Sequence, residues 1–162
     1  MSPSRKKQQP KKGGPRVIAT NRRARHDYFV ERTIEAGIEL RGTEVKSLRS
    51  GKASLVDSFA APEGAELFVQ NVHIPPYLQG NRYNVESKRS RKLLLHRSEI
   101  DKLIGAVSQK GYTLIPLRFY FNDKNLAKIE LGLCRGKKAY DKRQAIKEKD
   151  LRREADREMR GR

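Results

Sequence analysis

Apolar and polar residues alternate along most of the central chain, and the two-residue period is that of strands with one buried face. The alternation begins over 28–33, resumes at Ile38 and Leu40, and then marks 54–60, 66–74, 91–95, 112–122 and 126–135, which predicts six or seven short strands. The last two are separated by Asn122-Asp123-Lys124-Asn125, a cluster of turn formers, and should pair as an antiparallel hairpin. Pro116 lacks the N–H that a ladder needs, so it predicts an edge or a bulge.

Two stretches change period. Ser98, with Asp101 three residues on, opens a helix that Gly111 stops, and Ile100, Leu103, Ile104 and Val107 form the face that closes one end of a sheet. A shorter helix is predicted over 43–50, after Gly42 and before Gly51, with Val45 and Leu48 turned inward and Lys46, Arg49 and Lys52 left for solvent or phosphate. Many short strands in a small chain favour closure, because closure removes exposed edges. The expected fold is therefore mainly β with short helices, a closed antiparallel β-barrel like the oligonucleotide-binding (OB) barrel.

Charge divides the chain further. The formal net charge is +18, with nine basic and no acidic side chains in residues 1–25, 17 against 13 in 26–135, and 11 against 6 in 136–162. The picture is one nearly balanced domain, 17–135, between a basic flexible arm, 1–16, and a basic tail, 136–162. The arms could be unspecific solubilising segments, but a polyanion is the natural partner, and RNA is the first candidate. In the tail, Glu148 with Arg152 and Asp156 with Arg160 are helix-favouring pairs, and Leu151, Ala155 and Met159 make a thin apolar line. Such a segment is expected to be disordered in isolation and helical on a partner; folding back onto the barrel is the alternative.

Chemistry narrows the reading by elimination. His26, His73 and His96 are far apart, no His or Cys pair has ligand spacing, and no nucleophile element is present, so neither catalysis nor a metal or other cofactor is expected. Gly136-Lys137-Lys138 lacks the spacing and the hydroxyl residue of a phosphate loop. Cys134 lies in an apolar alternation and reads as a buried thiol. No apolar run approaches the roughly 20 residues of a membrane span and the first residues are polar, so a cytoplasmic location is expected.

Several segments, in order and spacing, carry a family resemblance. They are Asn21-Arg22-Arg23-Ala24-Arg25-His26-Asp27-Tyr28, the stretch from Glu35-Ala36-Gly37 through Gly42-Thr43-Glu44-Val45-Lys46 to Gly51-Lys52, Arg91-Lys92-Leu93-Leu94-Leu95, Gly111-Tyr112-Thr113, and Gly136-Lys137-Lys138 with Asp141-Lys142-Arg143. Over 17–160 the chain resembles the family of small protein B (SmpB), the SsrA-binding proteins of bacterial trans-translation. The resemblance implies a monomer that binds the tRNA-like domain of transfer-messenger RNA (tmRNA) and stands where an anticodon arm would be. It also implies a tail in the decoding site and empty messenger channel of a stalled ribosome, with elongation factor Tu joining through alanyl-tmRNA. It assigns Asn21, Glu35 and Leu94 to tmRNA binding.

The chemistry of these positions leaves alternatives. Asn21 can meet a base edge or ribose, or cap a turn; Glu35 can bond a base amino group, hold a cation, or be an exposed strand-end charge; Leu94 can support an unstacked base or pack in the core. Arg22, Arg23, Arg25, Lys46, Lys52, Arg91, Lys92, Lys137 and Lys138 would hold phosphates. In the tail, the resemblance implies that Lys142 and Arg143 meet ribosomal RNA, that Asp141 bonds a base or orients Arg143, and that Tyr140 stacks where the family commonly has His. A ribosomal protein or assembly factor with permanent ribosomal RNA contacts is the competing reading, and an RNA-modifying enzyme the third.

Overall fold

The computed structural model describes residues 14–109 and 111–161. In chain order the elements are β1 (Arg16–Thr20), α1 (Ala24–Asp27), β2 (Tyr28–Ile38), α2 (Gly42–Arg49), β3 (Phe59–Glu63), β4 (Glu66–Gln70), a 3-10 turn (Asn81–Tyr83), β5 (Arg91–Leu94), α3 (Arg97–Ser108), β6 (Tyr112–Phe121), β7 (Ala127–Gly136) and α4 (Ala139–Arg160). All strand pairs are antiparallel. Neighbours run β1-β6-β3-β4-β5-β2-β7, and β7 pairs again with β6, so the hydrogen bonding returns on itself.

The longest ladder, β2 on β7, runs from Tyr28 opposite Gly136 to Gly37 opposite Lys128. The β6–β7 hairpin turns as its residues predict: Asn122 Oδ1 accepts the N–H groups of Lys124 (3.1 Å) and Leu126 (2.9 Å), and Asn125 takes a positive φ of 63°. The register slips between Pro116 and Arg118, where the proline's missing donor called for a bulge.

Other expectations shift. The two signals at 28–33 and at Ile38 and Leu40 belong largely to one strand, β2; a bulge between Val30 and Arg32 changes its phase and breaks the alternation in the sequence. The strand expected over 54–60 is only a bridge, Ser54 to His73, because Asp57 turns at φ 58° and Ser58 Oγ donates to Leu55 O (2.6 Å); β3 starts at Phe59. The α3 cap is His96 rather than Ser98, with Glu99 accepting the His96 N–H (3.3 Å). β1 and α1 were not expected; Arg16, the last residue of the expected arm, opens β1, and residues 1–13 lie outside the described residues.

The core gathers Leu114, Phe119 and Phe121 of β6, Ile129, Leu131 and Leu133 of β7, Leu67 and Val69 of β4, Leu93 of β5, Leu48 of α2 and Leu103 of α3. Across the sheet, Ala24, Ile115, Leu117 and Cys134 form a smaller cluster under α1, so this part of β7 is buried on both faces. Cys134 is fully buried as expected, and burial pushes its thiol up to about 11.

One charged group lies deeper than any lysine or arginine was expected to. Arg91 is fully buried and Glu44 is 4% exposed. Glu44 Oε1 accepts from Arg89 Nε (2.7 Å) and Arg91 Nε (3.1 Å), and Oε2 accepts from Arg89 (2.8 Å) and from the Arg41 N–H (3.0 Å). Arg91 also donates to the carbonyls of Val72 (2.7 Å), Ser87 (3.0 Å) and Arg89 (3.2 Å). This cluster joins α2, the segment before β5, and β5. Burial works to raise the Glu44 carboxyl, but the bonds from Arg89, the Arg41 N–H and Arg91 outweigh it and hold the pKa below its ordinary 4.5. Stability from this group is therefore complete above the unfolded value and is lost as pH falls below 4.5 and on through the depressed folded pKa. Glu44→Gln is expected to lower unfolding free energy at pH 7 by about 3 kcal/mol or more, since it strands a buried guanidinium, and to flatten the acid limb of urea midpoint against pH. A parental midpoint at pH 7 would show that the cluster stabilises nothing.

Candidate RNA interface

The first candidate region is the turn from Asn21 to Asp27. Asn21 is half-buried and its polar atoms are engaged: Nδ2 donates to Pro116 O (3.1 Å) and more weakly to Leu55 O (3.4 Å), Oδ1 accepts the Ala24 N–H (3.2 Å), and its own N–H donates to Leu117 O (2.8 Å). Of its two readings, the turn cap is the one the geometry satisfies. Its effect is to present Arg22, Arg23 and Arg25, all exposed, around a buried Ala24 peg. The turn also holds the tail root. Lys137 N–H donates to Asp27 O (2.9 Å), Lys137 Nζ donates to Arg25 O (3.0 Å) and lies 4.9 Å from the Phe29 ring centre, and Lys142 Nζ pairs with Asp27 Oδ1 (3.3 Å). The hydrogen bond from His26, with Lys142 behind it, holds the Asp27 carboxyl below the usual range despite some burial.

The second region lies at the other end of β2. Gly37 faces Leu94 across the β2–β5 pair, and a Cβ at Gly37 would sit 3.1 Å from Leu94 Cβ, so glycine permits this close approach. Alternation then sends Leu93 into the core and leaves Leu94 51% exposed, which removes the core-packing alternative. Glu35, Leu94, Leu95, His96 and Lys128 line one depression with Gly37. Glu35 is exposed, and its Oε2 accepts from the Tyr120 hydroxyl, a tyrosine partner in place of the cation expected as one option. Burial and the Glu35 charge push the Tyr120 phenol well up. Glu35 and the arginine turn are about 23 Å apart along β2, at roughly 3.3 Å per residue.

The expected phosphate contacts divide. Arg91 is corrected: it points inward with Leu93, two residues on, and neutralises Glu44, so no phosphate can reach it. The single acidic side chain of α2 was the available signal for this pairing. Lys92 points outward but pairs with Glu66 (2.6 Å). Lys46, Lys52 and Lys138 are exposed, and Lys137 is bound at the tail root.

The tail is α4, none of whose residues is buried. Asp141 accepts the Lys138 N–H (3.2 Å), closing the helix start, and does not orient Arg143 here; Arg143 and Tyr140 are exposed, and the Tyr140 hydroxyl accepts from Gln144 (2.8 Å). The loop before β5, to which the sequence pattern assigns no role, exposes Leu78 (94%) and Tyr83 (68%). Its mixture of aromatics with Pro75-Pro76 and Gly80-Asn81 was the available signal. Among the described residues, no group of three or more His, Cys, Asp or Glu could hold a metal ion.

Known proteins fit this geometry. A family profile described as SmpB protein matches residues 18–161. The SsrA-binding protein of Alkaliphilus oremlandii is 60% identical over 149 residues, 92% of this chain and 96% of the relative. That of Caulobacter vibrioides is 58% identical over 144 residues, 89% of this chain and 95% of the relative. A solved chain described as tmRNA-SmpB, in work on the centre of the bacterial ribosome, superposes with a TM-score of 0.65 at 54% identity, covering 78% of this chain and 92% of that one. With a profile spanning nearly all of the described residues and relatives matched over nearly their whole length, the chain belongs to the SmpB family.

Proposed function

We propose that this protein binds tmRNA and serves trans-translation, the rescue of stalled ribosomes. The observation that carries the reading is the joining of two cationic surfaces: the exposed arginines of the 22–25 turn and a helix without a buried residue, α4, whose root is hydrogen-bonded to that turn. A helix without a buried face gains nothing from the sheet, and its charge calls for a polyanion. The relatives' description as SsrA-binding, and the structural neighbour's as tmRNA-SmpB, supply the RNA.

In this proposal the ring of strands is a closed OB-like barrel that takes the tRNA-like domain. Leu94 supports an unstacked base, Glu35 accepts from a base amino group, and Arg22, Arg23, Arg25, Lys46, Lys52 and Lys138 hold phosphates. Asn21 contributes by fixing the turn. The barrel substitutes for an anticodon arm, while α4, marginal as an isolated helix, is ordered in the decoding site and empty messenger channel, where Tyr140 stacks and Arg143 and Lys142 meet ribosomal RNA. The protein acts as a cytoplasmic monomer without catalysis, and elongation factor Tu arrives through alanyl-tmRNA.

A gel-shift titration with the tRNA-like domain of tmRNA, against ordinary tRNA as competitor and over a range of salt, tests the reading. Tight binding that tRNA does not displace is expected; equal competition with a steep salt slope would return the ribosomal-protein reading to first place. Leu94→Asp is expected to weaken binding about 10-fold or more with the melting temperature kept, because the residue is half exposed. Unchanged affinity would remove the ledge from the site. Removal of residues 139–162 is expected to leave affinity for the tRNA-like domain within about threefold, since α4 meets the body only at its root, while tagging of stalled products is abolished. A larger loss of affinity would assign α4 to tmRNA itself.

A further inference from the structure

The segment 75–84 is built to hold its shape. The Asn84 side chain clasps Tyr77 from both sides, Oδ1 accepting the Tyr77 N–H (3.0 Å) and Nδ2 donating to Tyr77 O (2.9 Å). Within the clasp, Gly80 N–H donates to Tyr77 O (2.8 Å) and Tyr83 N–H to Gly80 O (2.9 Å). A Cβ at Gly80 would lie 2.6 Å from Asn84 Oδ1, so no larger residue fits without shifting the clasp. Two bonds tie the segment to α2: Ser47 Oγ donates to Pro75 O (2.6 Å) and Thr43 Oγ1 to Tyr83 O (3.3 Å). Long connections with little secondary structure of their own are characteristically functional or disordered, and this one is ordered.

What the ordering displays is apolar and aromatic surface beside cations. Leu78 and Tyr83 project into solvent. The Lys46 ammonium lies 5.7 Å from the Tyr77 ring centre and the Arg82 guanidinium 5.2 Å from that of Tyr83. Arg41, Lys46, Tyr77, Gln79 and Tyr83 line a cleft between loop and helix, and no carboxylate lines it. The one acid of α2, Glu44, is turned inside onto Arg89 and Arg91. Core packing needs none of these exposed groups, which leaves a pre-ordered apolar and aromatic surface available to a partner.

We propose that the 75–84 loop and α2 form a separate RNA-stacking platform, with an unstacked base of tmRNA against Tyr83 and Leu78 and its flanking phosphates on Lys46 and Arg82. Rings with adjoining cations suit a base and its phosphates, whereas a protein partner would need acidic groups to match these cations. The inference rests on the tmRNA reading above. The RNA is assigned by continuity: the loop runs through residues 85–90 into β5, the strand that carries Leu94 of the proposed tmRNA site.

The test uses the full chain with Leu78→Ala and Tyr83→Ala together, and separately Lys46→Ala and Arg82→Ala, titrated with the tRNA-like domain at several salt concentrations. The double variant is expected to keep its melting temperature, lose affinity at least about 5-fold, and retain the parental salt slope, because stacking releases no counterions. Each cation variant is expected to reduce the slope by about one. Parental affinity in the double variant overturns the platform, and weaker ribosome association with intact tmRNA binding would give it to ribosomal RNA, which overturns it equally. Failure of the parent chain to bind the tRNA-like domain would instead defeat the tmRNA reading itself.

Discussion

The buried contact among Glu44, Arg89 and Arg91 is the constraint on which the surface layout depends. A carboxylate and a guanidinium removed from water are costly unless both are fully paired, and here Glu44 has three partners while Arg91 adds three carbonyls. Because the bonds come from α2, from 72–89 and from β5, only one arrangement of these pieces satisfies all of them. The geometric specificity matters more than net energy, since an apolar substitute could fill the same space. It also clears the outer face of α2 of negative charge, leaving Lys46 and Arg49 without an acidic neighbour on their own helix.

The β2–β7 ladder distributes the remaining function. Its antiparallel register puts Gly136 beside Tyr28, so the tail leaves the sheet where the arginine turn enters it, and it puts Lys128 beside Gly37, at the Glu35 and Leu94 depression. One rigid pair of strands therefore carries one candidate surface at each end, the arginine turn and the Leu94 depression. A β-ladder transmits position without flexing, so the two ends keep a fixed separation.

What the sequence made legible follows from which signals were local. The β6–β7 hairpin, the Pro116 bulge, α2 and α3, and the buried Cys134 each rest on residues near in sequence, and each was expected. β1 and α1 were missed because Arg16–Thr20 and Ala24–Asp27 are too short for a period and depend on remote partners, β6 and the Cys134 cluster. Asn21 caps its turn locally through the Ala24 N–H, one of its two expected readings, but the Leu55 and Pro116 carbonyls that hold its amide in place lie far along the chain, and the acid that draws Arg91 inward lies 47 residues earlier. The Tyr77–Asn84 clasp had no periodic signature at all. Position in a motif identified the family residues, while the part each plays came from contacts distant in sequence.

The two ion pairs at Asp27 and Glu44 show why one part of this molecule is fixed and another can change partners. Lys142 and Asp27 are both partly exposed, and pairs of that kind contribute about 0–1 kcal/mol, so Lys142 can leave Asp27 for an RNA phosphate at little cost. The Asp27 carboxyl stays charged at neutral pH and retains His26, so the turn that bears the arginines survives the exchange. The backbone bond from Lys137 to Asp27 O does not depend on charge, and it keeps the tail root attached while the side chains of α4 turn outward. A tail that is anchored by its backbone and only weakly held by its side chains has a defined starting point and a free cationic surface.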